Sequence, residues 1–226
     1  MLLLVTDTSG RHGSVALARA VSSSGDVELI ESVPLAGGTF SAQLVPQITG
    51  LLEKHGLSKR DIDAFVVVSG PGSFTGLRVG LAAIKALAEI LGKPIVPVSL
   101  LELITMASAI RGNVLAVLDA GRGEIYAGEY EVGESSRLVR EQLLSKDEFV
   151  SLAAGIAVVT PDAALEQLAS AASRLVQRVE MPSSERIARV GWQRLQAGQT
   201  VTPEQLDANY IRKSDAEIFA KSGRER

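Results

Sequence analysis

Residues 69–80 read SGPGSFTGLRVG, and this stretch decides the fold of the chain. A continuous apolar run at 65–68 precedes it, and an apolar stretch with helical spacing at 77–91 follows it. The pattern predicts a buried strand, a glycine-rich turn and the beginning of a helix. Backbone N–H groups at such a turn can hold an anion, and its small residues would also let another helix approach closely. The sequence leaves both uses open at this point.

The glycine-rich turn does not match the common nucleotide-binding or catalytic motifs. Gly70 and Gly72 are not followed by the third glycine of Gly-x-Gly-x-x-Gly, because Thr75 occupies that position. The chain also contains no Gly-Lys-Ser/Thr sequence for a P-loop. Ser73 lacks the Gly-x-Ser-x-Gly surroundings of a nucleophile elbow. The segment therefore predicts no catalytic residue.

Small residues form a stripe along the helix that follows the turn. Gly76, Gly80 and Ala83 fall at i, i+4 and i+7, on one helical face. A glycine inside a helix costs about 1 kcal/mol relative to alanine, so two of them need a packing reason. Close packing within this chain and close packing against a partner both supply one.

Apolar patterns in the first half of the chain alternate between strands and helices. A helical pattern that contains Leu44 and Ile48 follows three strand-like runs. Further on, another strand and helix follow the helix that begins near Thr75. This order predicts an α/β fold.

The second half opens with a sequence that repeats the beginning of the chain. Residues 3–17 read LLVTDTSGRHGSVAL, and residues 115–127 read LAVLDAGRGEIYA. Each combines an apolar strand, an aspartate (Asp7 or Asp119), a turn with glycine and arginine, and a second strand. Such hairpins hold ATP phosphates in sugar kinases, Hsp70 and actin. Aspartate is also a frequent turn residue without any bound ligand. Asp7 and Asp119 could therefore either hold phosphates or only form turns, and the sequence leaves both interpretations open.

Composition and charge favour a soluble, cytoplasmic protein. The 226 residues carry a net charge of −3 and include no cysteine. The amino terminus lacks the basic region of a signal peptide, and no apolar run approaches the roughly 20 residues of a membrane span. A protein that binds RNA or DNA on its own would show a basic excess on one face. We interpret the local basic cluster, Arg186, Arg189 and Arg194, as a solvated helix face.

The two histidines, His12 and His55, are far apart in the sequence. They favour neither a histidine metal site nor a histidine general base. His55 precedes Gly56 at the end of a predicted helix, where it would complement the helix dipole.

Several segments together resemble the TsaB (YeaZ) family of bacterial tRNA threonylcarbamoyladenosine biosynthesis. The most specific is SGPGSFTGLRVGLA at 69–82. The others are DTS at 7–9 with SVAL at 14–17, PVSLLEL at 97–103, LDAGRGEIY at 118–126 and NYIR at 209–212. The chain departs from the family at Phe40, where many relatives carry histidine, and at Ala208, where proline is frequent.

The resemblance implies an actin-like ATPase-superfamily (ribonuclease H-like) fold with two lobes, each a mixed sheet flanked by helices. We expect residues 1–100, joined by 208–226, to form the amino-terminal lobe and residues 101–207 the carboxyl-terminal lobe. The resemblance also implies that this chain is a non-catalytic partner and activator of TsaD, in a complex with TsaE. TsaD is a larger paralogue that transfers the threonylcarbamoyl group to tRNA. Without TsaD, the chain is expected to form a homodimer. It is expected to hold no cofactor or metal and to bind no tRNA alone, the ATP residing on TsaD or TsaE.

The expected docking surface comprises the glycine-rich turn, the helix after it and the first helix. Its residues are Gly72, Ser73, Phe74, Thr75, Gly76, Arg78, Val79, Gly80 and Ala83, with Leu44 and Ile48. Asp7, Thr8, Ser9 and Asp119 are expected to form a vestigial nucleotide-binding site.

Two other functions compete with this interpretation. The first is a free-standing nucleotide phosphotransferase that would use residues 7–9 and the turn at 70–76. The second is a peptidase, which the family relationship suggests and which the surroundings of Ser73 do not favour.

Overall fold

The chain alternates strands and helices, as an α/β fold requires. The computed structural model describes residues 1–21, 26–173 and 175–211. Its strands are β1 Leu2–Asp7, β2 His12–Ala20, β3 Val27–Ala36, β4 Ala64–Gly70, β5 Ile95–Ser99, β6 Gly112–Gly121, β7 Glu124–Val132, β8 Ser136–Ser145, β9 Ala157–Thr160 and β10 Val176–Arg178. Its helices are α1 Phe40–Lys54, α2 Phe74–Leu91, α3 Leu100–Met106, α4 Lys146–Ala153, α5 Ala163–Ser170 and α6 Ser184–Gln196. Within the described ranges, every helix is too short or too polar to cross a lipid bilayer.

The first of two compact units comprises Met1–Ala107 and Glu180–Asn209. Its sheet has the order β3-β2-β1-β4-β5, in which β1 pairs antiparallel with β2 and parallel with β4. The strand β4 is buried along its whole length, as its run of apolar residues predicts.

Helices cover both faces of this first sheet. Leu4 and Phe65 point to one face, where they pack with residues of α1 and α2 such as Leu44 and Ile84. Val66, the neighbour of Phe65, points to the opposite face and contacts Gly191 of α6. The glycine-rich segment therefore leads from the centre of the sheet into one of its covering helices.

The second unit, which contains Ser108–Val179, repeats the strand order of the first. Its sheet runs β10-β9-β6-β7-β8, with β6 antiparallel to β7 and parallel to β9. Leu115 and Val158 belong to a core that α4 and α5 complete with Phe149 and Leu165. The predicted duplication is thus present, and the hairpin β6–β7 corresponds to the hairpin β1–β2.

Two helices belong to a different unit from the one predicted. The expected second lobe spans 101–207, yet both α3 and α6 lie in the first unit. The reason is packing: α6 buries Ile187, Ala188 and Trp192 and contacts the strands of the first sheet, and α3 packs on β4 and β5. Of the expected carboxyl-terminal segment, residues 212–226 lie outside the described residues.

Candidate functional site

The glycine-rich segment forms the predicted strand, turn and helix. The strand β4 ends at Gly70, whose φ of 124° is a conformation that glycine adopts readily. Ser73 caps the next helix, because its Oγ accepts a hydrogen bond from Gly76 N at 3.2 Å. The Ser73 hydroxyl thus has a structural role at the beginning of α2.

The end of the described chain lies over the beginning of the turn. Asn209 N donates a hydrogen bond to Ser69 O at 2.8 Å. A Cβ atom on Gly70 would lie 3.0 Å from Asn209 O and 3.1 Å from Leu77 Cδ1. Two segments of the family resemblance, 69–82 and the described part of 209–212, are therefore in contact.

The turn also packs against the hairpin β1–β2. Ser73 N donates a hydrogen bond to Ser9 O at 2.6 Å. A Cβ atom on Gly72 would lie less than 3.0 Å from the same carbonyl oxygen, a separation that real Cβ atoms essentially never show. Gly72 is therefore required by contact within the chain.

The two glycines of α2 lie against Thr8 of the same hairpin. A Cβ atom on Gly76 would clash with Thr8 O, and one on Gly80 would clash with Thr8 Oγ1, each at less than 3.0 Å. Both glycines are buried, and Thr8 is only 2% exposed. Of the two packing reasons that the sequence leaves open, the structure shows packing within this chain.

Five residues of the expected docking surface are consequently placed inside this unit. Gly72, Gly76 and Gly80 make room for the hairpin, so the prediction that these glycines face a partner is wrong. Leu44 and Ile48 are buried in the core beneath α1 and cannot reach a partner directly. Val79 and Ala83 are partly buried against the same core.

The outward face of α2 carries a different set of residues. Thr75, Arg78, Ala82 and Ala86 are exposed, and Ile90 is 72% exposed. At roughly 100° per residue, Thr75, Arg78 and Ala82 point away from the glycines, Ala86 points sideways, and Ile90 lies near the carboxyl end of the helix. The neighbouring helix α1 also presents apolar side chains outward, with Val45 53% exposed and Pro46 exposed. We call Ala82, Ala86 and Ile90 of α2, together with Val45 and Pro46 of α1, the apolar outer face.

Sequence reasoning missed the apolar outer face, although α2 gives a signal for it. Only Arg78, Lys85 and Glu89 are charged among the residues of this helix. At roughly 100° per residue these three charged residues share one side of the helix, and the exposed apolar positions lie beside them. A search for the second apolar stripe, Ala82-Ala86-Ile90, would have found it.

Arg78 is placed by the first turn of α2. Its guanidinium carbon lies 3.9 Å from the centroid of the Phe74 ring, a cation–π arrangement. Arg78 and Thr75, both expected at the docking surface, are exposed on the same side of the helix as Ala82.

The expected nucleotide residues of the first hairpin are buried. Asp7 Oδ1 accepts hydrogen bonds from Ser9 N at 2.8 Å and from Ser9 Oγ at 2.6 Å. Burial raises the pKa of the Asp7 carboxyl above its ordinary value, and the two bonds from Ser9 oppose that rise. With Thr8 seated against α2, the hairpin uses its polar groups for internal contacts.

The second hairpin differs from the first. Asp119 is exposed, and its Oδ1 accepts a hydrogen bond from Gly121 N at 2.9 Å. Arg122 follows with a φ of 57°, in the left-handed region. Asp119 therefore acts as a turn former, one of the two interpretations that the sequence allows.

The arginines of α6 agree only in part with the predicted solvated face: Arg186 and Arg189 are exposed, whereas Arg194 is half-buried within its own unit. Arg194 is paired with Glu102 and donates to Pro97 O. Arg186 Nη1 donates to Met106 O at 3.0 Å, at the end of α3.

His55 likewise has a specific partner beyond the helix dipole. Its Nε2 lies 2.8 Å from Glu31 Oε2, and Lys54 Nζ lies 2.6 Å from the other oxygen. Hydrogen bonds from Lys54 and His55 lower the pKa of Glu31. Across the described residues, no three His, Asp or Glu side chains come together in a way that could hold a metal ion.

Comparisons with known proteins agree with this architecture. Residues 34–219 match the family model of TsaD, described as tRNA N6-adenosine threonylcarbamoyltransferase. A solved structure from Pseudomonas aeruginosa, described as similar to peptidase YeaZ, has a TM-score of 0.74 and 25% identity; the match covers 93% of this chain and 99% of that one. The fold is that of the actin-like ATPase superfamily, as predicted.

Curated relatives define the family more closely. The tRNA threonylcarbamoyladenosine biosynthesis protein TsaB of Escherichia coli is 30% identical, over 96% of each chain. The TsaB protein of Bacillus subtilis is 34% identical over 58% of this chain, and that alignment spans 56% of the relative's length. The chain belongs to the TsaB (YeaZ) family.

Proposed function

We propose that this chain acts in tRNA threonylcarbamoyladenosine biosynthesis as a non-catalytic partner and activator of TsaD, together with TsaE. The names of the relatives support the pathway. The observation that carries the partner role is the apolar outer face, above all Ile90 at 72% exposure. The helices α1 and α2 pack against each other, and contiguous exposed apolar surface marks a place that a partner covers.

The internal use of the first hairpin supports a non-catalytic role. Asp7 and Ser9 are hydrogen bonded to each other, and the Thr8 hydroxyl is turned towards Gly80. A phosphotransferase would need such groups free to meet a nucleotide and its metal ion. We therefore propose that the ATP used by the complex binds to TsaD or TsaE. We also propose that the complex acts in the cytoplasm.

The proposed docking surface keeps part of the predicted one and replaces the rest. Thr75 and Arg78 remain, and Ala82, Ala86 and Ile90 take the place of the glycines. Val45 and Pro46 take the place of Leu44 and Ile48 on α1. In the absence of TsaD, the same surface is covered by a second copy of the chain.

Co-expression with the cognate TsaD tests this assignment. Ala86→Glu and Ile90→Glu each place a charge on the apolar outer face without touching the core. Each should cut the recovery of TsaD on a tagged chain at least roughly tenfold, since burying an unpaired charge costs more than 1.4 kcal/mol. The yield of modified tRNA nucleoside, measured by mass spectrometry, should fall with it.

Met181→Glu is the matched control, because Met181 is 49% exposed and lies outside both helices. It should leave the recovery of TsaD unchanged. Equal recovery of TsaD with Ile90→Glu and Met181→Glu would contradict the proposed surface. Calorimetry with ATP–Mg on the isolated chain tests the competing function, a free-standing nucleotide phosphotransferase. Submicromolar binding of ATP with turnover would establish that function instead.

A further inference from the structure

Thr8 occupies the hole that two missing side chains leave in α2. Its carbonyl oxygen fills the place of a Cβ atom on Gly76, and its hydroxyl fills the place of one on Gly80. The remaining atoms fit closely as well, since a Cβ atom on Gly80 would lie 3.2 Å from both Cβ and Cγ2 of Thr8. One residue of the hairpin thus contacts two successive turns of α2.

The same hairpin fixes the beginning of α1. Phe40, the first residue of α1, is buried with its ring between two glycines. A Cβ atom on Gly13, in β2, would lie 2.8 Å from Phe40 Cε1, and one on Gly76 would lie 3.2 Å from Phe40 Cε2. The hairpin, α1 and α2 therefore meet at one tightly packed point.

The glycine side of α2, which contacts Thr8, and its exposed side belong to the same helix and move together. Close-packed interiors transmit small displacements, because they lack the free volume to absorb them. A shift of α2 at Gly80 moves Ala82 and Ala86 on the outer face with it.

We infer that Thr8 is a positioning residue for partner docking: it sets where α2 lies on the sheet and, through Gly76 and Phe40, how α2 lies relative to α1. This inference rests on the proposed function. Thr8 is buried and touches no partner in this role. The first hairpin, at the place where a nucleotide was expected, instead shapes the protein–protein surface.

A compensating pair of substitutions tests the inference. Gly80→Ala puts a methyl group against the Thr8 hydroxyl, and Thr8→Ala in the same chain removes Oγ1 and Cγ2 to make room for it. By calorimetry with purified TsaD, Gly80→Ala alone should weaken binding roughly tenfold, and the double variant should recover most of that loss. Both are compared at a temperature at which circular dichroism shows them folded.

Gly191→Ala controls for a general loss of stability. A Cβ atom there would clash with Val66 on the face of the sheet opposite to the one that α1 and α2 cover. This variant should unfold more easily while binding TsaD as the unaltered chain does. A loss of affinity equal to that of Gly80→Ala would show that destabilisation explains both, and would overturn the positioning role.

The outcomes separate this inference from the proposed function. If Ile90→Glu abolishes binding and Gly80→Ala leaves it unchanged, the docking surface stands and the role of Thr8 is refuted. If Ile90→Glu leaves binding unchanged, the proposed surface itself is wrong. If Gly80→Ala does not fold, Thr8→Ala alone serves as the test. It leaves a gap beside Gly80, whereas Gly80→Ala creates a steric clash with Thr8. It should weaken binding roughly threefold or more, and unchanged affinity would refute the inference.

Discussion

Gly191 of α6 lies directly against Val66 of β4, with no room for a side chain between them. A Cβ atom on Gly191 would lie 2.5 Å from Val66 Cγ2 and 3.0 Å from Val66 Cβ. Through this contact the backbone of α6 sits on the strand that leads into the glycine-rich turn. The contact also explains why a helix late in the sequence belongs to the first unit.

Gly191→Ala should lower the free energy of unfolding by about 1–3 kcal/mol, because the added methyl group overpacks the interface between α6 and β4. Urea denaturation at constant pH measures the change. Gly50→Ala is the matched control, since Gly50 lies within α1 with open space around its Cα. It should raise the free energy by about 0.5–1 kcal/mol through helix propensity. Similar changes in both variants would contradict the close contact.

Asp7→Asn should stabilise the chain at neutral pH. Burial raises the pKa of Asp7, so the folded chain binds its proton more tightly than the unfolded chain does. The contribution of Asp7 to stability is then fully present below its ordinary pKa of about 3.9 and is lost as pH rises through the raised value. Asparagine avoids that loss and keeps an oxygen for the bonds from Ser9.

Thermal unfolding over a range of pH measures this effect. The midpoint of Asp7→Asn should exceed that of the unaltered chain at pH 7. The difference should close as the pH falls towards the ordinary pKa of aspartate. A lower midpoint at pH 7 would mean that the Asp7 charge itself stabilises the hairpin.

The strands, turns and helices could be predicted from the sequence, because residues that are close together in the chain determine them. The apolar run at 65–68, the capping residue Ser73 and the helical spacing after it suffice for a strand, a turn and a helix. The repeated hairpin at 115–127 predicted the second sheet in the same way. These features depend on residues that are close together in the chain.

The orientation of α2 could not be predicted from the same signals. The stripe Gly76-Gly80 indicates close approach, and only the position of Thr8 shows what approaches. The membership of α6 in the first unit depends similarly on distant contacts, such as that of Arg194 with Glu102. Long-range contacts of this kind leave no periodic pattern in the sequence.

The ion pair between Arg194 and Glu102 should couple α6 to α3. Both side chains are largely shielded from solvent, and Arg194 also donates to Pro97 O. A double-mutant cycle with Arg194→Met and Glu102→Gln should give a coupling energy of roughly 1 kcal/mol, reduced from a fully buried pair by partial exposure. Urea denaturation of the four proteins measures it.

The exposed pair Arg189–Glu185, one helical turn apart in α6, is the control for that cycle. Its coupling should be no more than about 0.3–0.5 kcal/mol, because water screens both charges. Equal couplings for the two pairs would argue against a special role of Arg194.

Phe40→Ala should be the most destabilising of these substitutions. The ring of Phe40 fills the space between Gly13 and Gly76, and neither glycine has a side chain to close the gap left behind. A loss of about 3–5 kcal/mol follows from the lost burial and the cavity. Phe40→His should lose less, because it keeps a ring in that space. Val45→Ala, on the exposed side of the same helix, should change the free energy of unfolding by no more than about 0.5 kcal/mol. If Phe40→Ala and Val45→Ala unfold at the same urea concentration, the ring does not hold the hairpin and the two helices together.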